Sequence, residues 1–427
     1  MRFIPILLVL ISLSGCNLLP LATPTPESPA IATPESSPIS VTATAVPNTK
    51  NLQKLSIWVP AEFDPNGKSP AANLLLKTIQ DFESKNSGVT VDIRVKAGNG
   101  PSGLMETLAL TSEAAPEAMP SIVLLTRSQL EETNLKGILF PYEGLSATLE
   151  ETDWYPFARE MATIKDGIYG LPVSGDVLVL VLRSNRSAAQ APTWEDIQKM
   201  GSSVLFAAAD PQATVTLALY RSAGGTTQDS QSVPKIQTSE LEKTLALLAA
   251  GAEKNIFPTW LINYQSDKQV LDIFSNQQNG WVITWLSNYL PNKLDETSVY
   301  AIPSLGTGSA TFASGTVWAL TDTNPERRQL SVKLAEYLTR SEFLSQWNLI
   351  NNSLPPRPSA LTAWPDTPLR AQLNLIALAA EIRPANDVLT NLGPAIQEAT
   401  ILILKKQSDP ARAADTVIQR LAAPASK

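Results

Sequence analysis

Between residues 54 and 126 two hydrophobic patterns alternate. KLSIWV (54–59) is a short apolar run closed by a Pro-rich turn, PAEFDPNGKSP. AANLLLKTIQDFESKN then sets Leu74, Leu75, Ile79 and Phe82 on one face of a helix. VTVDIRVKA (89–97) returns to period two, and GNGPSG breaks it. LMETLALTSEA reads as a second helix and SIVLLT (121–126) as a buried strand. Strands separated by helices in this way predict an α/β chain with a parallel sheet.

Further along, DGIYGLPVSGDVLVLVLRSN (166–185) is a turn leading into a long β run. Its apolar part, VLVLVLR (177–183), is too short to span a bilayer and rich in β-branched residues, so it predicts a buried strand. APTWEDIQKMG opens a helix with Thr193 as N-cap and acidic residues in the first turn. ELEKTLALLAAGA predicts another helix, and GWVITW (280–285) another buried strand. TNPERRQLSVKLAEYLTRSEFLSQW reads as one amphipathic helix with Pro325 near its start. The segment from TNLGPAIQ to the C-terminus gives two more helices. There is no internal repeat.

The N-terminal segment follows a different rule. Arg2 precedes an apolar run, Ile4–Leu13, that is too short for a membrane span and fits the core of a secretory signal peptide. Leu13-Ser14-Gly15-Cys16 follows, and it resembles the lipobox of bacterial lipoproteins. The resemblance implies cleavage after residue 15, a diacylglycerol thioether on Cys16, and export to the outer face of the cell membrane. Two or three acyl chains anchor a protein stably. Residues 17–52 are rich in Pro, Thr, Ser and Ala and poor in large apolar side chains, so they are expected to form a disordered tether. Cys16 is the only cysteine, so the exported fold must hold without disulfides.

About 375 residues remain beyond the tether, which suggests two lobes rather than one core. A net charge of −7 gives no electrostatic case for nucleic acid. The chain has no histidine. That excludes a Ser-His-Asp triad, a Cys-His pair and His-ligated zinc or iron. Carboxylate-only chemistry, as in glycosidases, stays open.

The order of these pieces is similar to that of the extracellular solute-binding proteins of bacterial ABC importers, in the branch containing maltose-binding protein. The similarity covers roughly residues 53–423. DGIYGLPVSGDVLVLVLRSN…APTWEDIQ resembles the family's Tyr-Gly-Leu-Pro turn, lobe-crossing strand and Thr-Trp-acid helix start. FSNQQNGWVITWLSN resembles its strand ending in a cleft-facing tryptophan. One departure is Ser121 after Pro120, where the family usually has Asp. The resemblance implies an α/β fold of two lobes, each a mixed sheet flanked by helices, with the ligand cleft between them. It places lobe 1 at about 53–175 and 305–352, and lobe 2 at about 176–304 and 353–427. It also implies a monomer with a small solute, expected to be a sugar, and an ABC permease as partners, no cofactor and no catalysis. The alternatives are a cell-surface glycosidase, a polyamine binder and a sensor protein.

Candidate ligand-binding residues follow from strand ends and turns. Trp58 ends the first strand, where open α/β sheets place ligands, although a core tryptophan reads equally well. Glu62 and Asp64 in the next loop offer carboxylates, and Thr126 and Arg127 end the third strand. Ser174, Gly175 and Asp176 lie where the chain is expected to cross between lobes. Trp285 ends GWVITW beside Ser287 and Asn288, so an indole face and hydrogen-bonding groups stand together. Ser314, Gly315 and Trp318 form a second set near the return crossing. NDVLTNLGP (386–394) carries no aromatic residue where maltose-binding relatives stack sugars, which argues against a malto-oligosaccharide.

Overall fold

The structure is a computed structural model that describes residues 53–422, apart from 99, 101, 185–190, 230, 232, 278 and 307–309. The signal segment, Cys16 and the tether lie outside the described residues. Eleven strands occur in chain order: β1 (Gln53–Pro60), β2 (Val89–Lys96), β3 (Ile122–Thr126), β4 (Thr163–Ile164), β5 (Gly167–Ile168), β6 (Gly170–Arg183), β7 (Val204–Leu205), β8 (Gly280–Trp285), β9 (Thr297–Tyr300), β10 (Phe312–Leu320) and β11 (Glu381–Ile382). β4 and β5 form a separate hairpin, and the other nine make one sheet in the order β2-β1-β3-β10-β6-β8-β7. β9 also pairs with β6, and β11 with β10.

The sheet is mixed rather than wholly parallel. β1 runs parallel to β2 and β3, as the strand–helix alternation predicts, but β10 lies antiparallel to both β3 and β6. β6 divides the sheet. Its first half, Gly170–Val177, pairs with β10, and its second half, Leu178–Arg183, pairs with β8 and β9. One strand of 14 residues therefore belongs to two sheet halves, each flanked by helices, which is a two-lobed α/β architecture. A further link joins the chain at the same level, where Gly175 and Leu354 exchange backbone hydrogen bonds of 2.7 and 2.8 Å.

Local chemistry fixes the helices that support these strands. Pro70–Lys85 starts on Ser69, whose hydroxyl accepts from the Ala72 amide at 3.1 Å, and buries Leu75, Ile79 and Phe82 as the spacing predicts. Thr193 caps Trp194–Met200 through a reciprocal bond with Asp196, which satisfies otherwise orphaned amides. The single helix expected across residues 325–347 is instead two, Pro325–Tyr337 and Ser341–Ile350. The break comes at Leu338–Arg340, where buried Leu338 and Thr339 turn the chain, and Asn348 of the second helix then donates to the Val173 carbonyl of β6 at 2.9 Å. A continuous helix could not deliver that contact to β6. In the second half, Thr238–Glu253, Asn386–Leu404 and Pro410–Ala422 pack together.

Candidate functional site

The C-terminal end of β8 supplies the centre of the site. Asp267, first residue of the helix Asp267–Phe274, accepts three hydrogen bonds on one carboxylate oxygen: the Thr284 hydroxyl at 2.8 Å, the Trp285 amide at 3.0 Å and the Asn288 side-chain amide at 2.8 Å. The turn after β8 is thereby fixed before any solute arrives. Seven of the nine tryptophans are buried, and Trp260 lies at the surface. Trp285 stays half-buried at the strand end, walling a cavity of about 220 Å³.

The opposite walls come from the crossing strands. Asp176 of β6 and Ser314 of β10 are register partners, and both line the cavity with Ser287 and Asn288. Asp176 accepts the Ser287 amide at 3.0 Å and its hydroxyl at 2.6 Å. Burial pushes the Asp176 carboxyl up to about 6, with a smaller push from the Asp267 charge, while the bonds from Ser287 oppose the rise. At neutral pH it is mainly ionised and keeps lone pairs for a donor.

Three further wall residues were not anticipated from the sequence. Gln212 and Thr214 arrive on a turn organised by Asp210, which accepts the Gln212 amide at 3.0 Å and the Thr214 amide at 2.9 Å. That turn is pressed against Gly393, where an added Cβ would stand 2.4 Å from the Pro211 carbonyl. The Asp-Pro-x-x-Thr spacing is a readable helix-start signal, but nothing in it says which surface the turn faces. Arg383 follows β11, and its amide donates to Ala313 of β10 at 2.9 Å. β11 has two residues, too few for a periodic pattern to announce.

Several sequence candidates stand elsewhere. Trp58 is 2 % exposed and belongs to the core with Leu104, Leu108 and Val123, its ring covered by the Lys96 ammonium at 4.1 Å. Trp318 is likewise in the core, fully buried. Their strands are central and covered on both faces, so a large apolar side chain on them is enclosed. Glu62 and Asp64 lie on the outer turn after β1, where Asp64 holds the Asn66 amide at 2.8 Å. Thr126 caps the helix Arg127–Leu135, and buried Arg127 spends its donors on Glu131 and on the carbonyls of Glu160, Met161 and Thr163. Ser174 bonds Thr316 at 2.7 Å between β6 and β10. Gly175 and Gly315 serve close backbone approach in those strands rather than the cavity wall. The cavity thus gathers Asp176, Trp285, Ser287, Asn288 and Ser314, and leaves the other nine candidates outside its wall.

Three larger depressions among the described residues hold none of these residues. One, about 430 Å³, runs between Pro70–Lys85 and the region of Tyr337–Gln346, a second, about 420 Å³, lies between Glu253 and Lys406–Arg412, and a third, about 510 Å³, lies beside β9 and Thr367–Gln372. Among the described residues no cluster of His, Cys, Asp and Glu is arranged to hold a metal, and no helix is long and apolar enough to cross a membrane.

Comparison with known proteins agrees with this architecture. No curated protein matches the chain in sequence. Among solved structures, the maltose-binding periplasmic protein MalE of Listeria monocytogenes, in complex with maltose, aligns with a TM-score of 0.70 at 16% identity, covering 87% of this chain and 97% of its own. The maltose-bound MalE3 of T. maritima aligns at 0.62 and 18% identity, covering 86% and 98%. A solute-binding protein of an ABC transporter from Thermotoga lettingae, bound with α-D-tagatose, aligns at 0.60 and 18% identity, covering 87% and 100%. At these identities the likeness is one of fold. The sequence model of the bacterial extracellular solute-binding proteins matches residues 77–372, more than half of the chain. Members of that family are exported binding proteins rather than enzymes. With its two sheet halves sharing β6 and a polar, tryptophan-walled cavity at their junction, this chain belongs to the bacterial extracellular solute-binding protein family.

Proposed function

We propose that the protein captures a small carbohydrate in the cavity at the junction of β6, β8 and β10 and delivers it to an ABC permease. The observation that carries this reading is the company Trp285 keeps. An indole face covers the C–H patches of a sugar ring, while Asp176, Ser287, Asn288 and Ser314 meet hydroxyls around it. The sugars bound by structural neighbours support the same class. Capture and release follow from two lobes, about 53–175 with 305–352 and about 176–304 with 353–427, that close around the solute and present the closed form to the permease. Among the described residues Asp176 is the sole carboxylate on the cavity wall, which favours binding over two-carboxylate glycoside hydrolysis and over capture of a polyamine.

A thermal-shift screen of the purified chain against neutral sugars, acidic sugars, polyamines and amino acids tests the reading. A ligand that binds only the folded state raises the melting temperature by mass action. Stabilisation by sugars is the expected outcome, and stabilisation by polyamines or amino acids alone would refute it.

Anchoring is proposed through Cys16, on the strength of Leu13-Ser14-Gly15-Cys16. Cys16→Ser should abolish metabolic labelling with palmitate and move the protein from the membrane fraction to the soluble one. Unchanged labelling and retention would contradict a lipid anchor.

A further inference from the structure

Arg383 stands in the cavity wall without an ion pair among the described residues. It donates from Nη2 to the Asn386 side chain at 2.8 Å, and its other guanidinium hydrogens meet no protein acceptor among the described residues. The acid whose charge acts on it, Glu131, is already engaged: one carboxylate oxygen takes Arg127 Nε at 2.7 Å and the other takes the Asn386 amide at 3.1 Å. Two guanidinium groups therefore face one committed carboxylate. Asp176 makes no ion pair with Arg383. Val177 of β6 and Ile382 of β11 both pair with Ala313 of β10, on its two opposite edges, so Asp176 and Arg383 are about two strand spacings apart, roughly 9–10 Å. Asp176 is also held by Ser287.

A half-buried cation with free, coplanar donors is normally paired, because desolvation costs it hydration that only a partner restores. Here burial does disfavour the Arg383 charge, and the protein offers no ion pair in return. A guanidinium fork matches a carboxylate or a phosphate bidentately. We infer that the solute is an acidic sugar, whose carboxylate or phosphate pairs with Arg383 while its hydroxyls reach across to Asp176 and Ser287. This rests on the carbohydrate reading above and narrows it to one chemical class. The sugar ring lies over Trp285 between the two poles.

The test is calorimetric titration of the purified full chain with matched probes: glucose and galactose, glucuronate and galacturonate, and glucose 6-phosphate. At least one acidic probe should bind about tenfold tighter than its neutral counterpart, and the uronates against the phosphate tell which acid is taken. Arg383→Gln should erase that margin while the ligand-free melting temperature stays near that of the parent. Arg383→Lys, which keeps the charge but loses the fork, should restore part of it. Neutral sugars bound as tightly as acidic ones, or a margin that survives Arg383→Gln, would overturn the acidic class and leave the carbohydrate reading standing. Binding of no probe, neutral or acidic, would overturn both.

Discussion

Gly315→Ala should cost the protein about 3 kcal/mol of stability, the upper end of what overpacking a core usually does. Gly315 lies in β10 opposite Gly175 of β6. A Cβ built on it would stand 2.0 Å from the Ser174 carbonyl oxygen and 2.7 Å from Met161 Sδ. Met161 is fully buried and could swing only into packed neighbours. The carbonyl belongs to the paired strand and can retreat only by opening the β6–β10 ladder. That ladder joins the two sheet halves, so the strain falls on the crossing itself. Gly98→Ala is the control, since a Cβ there meets nothing within 4 Å and should change stability by less than about 0.5 kcal/mol. Denaturant unfolding of both variants reads the difference. A Gly315→Ala midpoint indistinguishable from that of Gly98→Ala would mean that β6 and β10 part at little cost.

The second large effect is expected at Trp285. Trp285→Ala should weaken binding of the sugar found in the screen by more than about tenfold, or 1.4 kcal/mol, because the stacking face is lost. Its backbone should stay in place, since the Asp267 carboxylate holds the Trp285 amide together with Thr284 and Asn288. The ligand-free stability should therefore fall only modestly. Trp281 supplies the contrast within the same strand: it is fully buried, and Trp281→Ala should cost about 3–5 kcal/mol. Two measurements separate the roles, calorimetric titration for affinity and ligand-free melting for the fold. If Trp285→Ala melts as early as Trp281→Ala while the molecules still folded bind normally, the indole is a core group and the stacking role is lost.

The contrast between Trp58 and Trp285 shows where sequence reading stops. The sequence set each at a strand end, and each was a candidate on that ground, but β1 continues to Pro60 while Trp285 is the last residue of β8. The period along the chain identifies a strand and its apolar side chains, but not which neighbours cover its end. β1 lies between β2 and β3, and Leu104 and Lys96 close over Trp58, whereas β8 ends at a turn that Asp267 holds open at the cavity. Arg127 is the same lesson for a charge: strand-end position suggested a ligand donor, and four local acceptors consumed it.

By itself the sequence determined the strands β1, β2, β3, β6 and β8, the N-cap at Thr193, the helix start at Pro325, and the two-lobed family, because these rest on local periodicity and on the order of pieces along one chain. It also singled out Asp176, Trp285, Ser287, Asn288 and Ser314, which proved to share one cavity. Only the tertiary structure decided that β10 runs antiparallel at the centre of the sheet, that Arg383 and Gln212 reach the same cavity, and that Trp58, Trp318 and Arg127 do not. Those outcomes depend on contacts between residues far apart in the chain, Arg383 on β10 or Gly393 on the 210–214 turn, and such pairings leave no periodic mark in either partner's own segment.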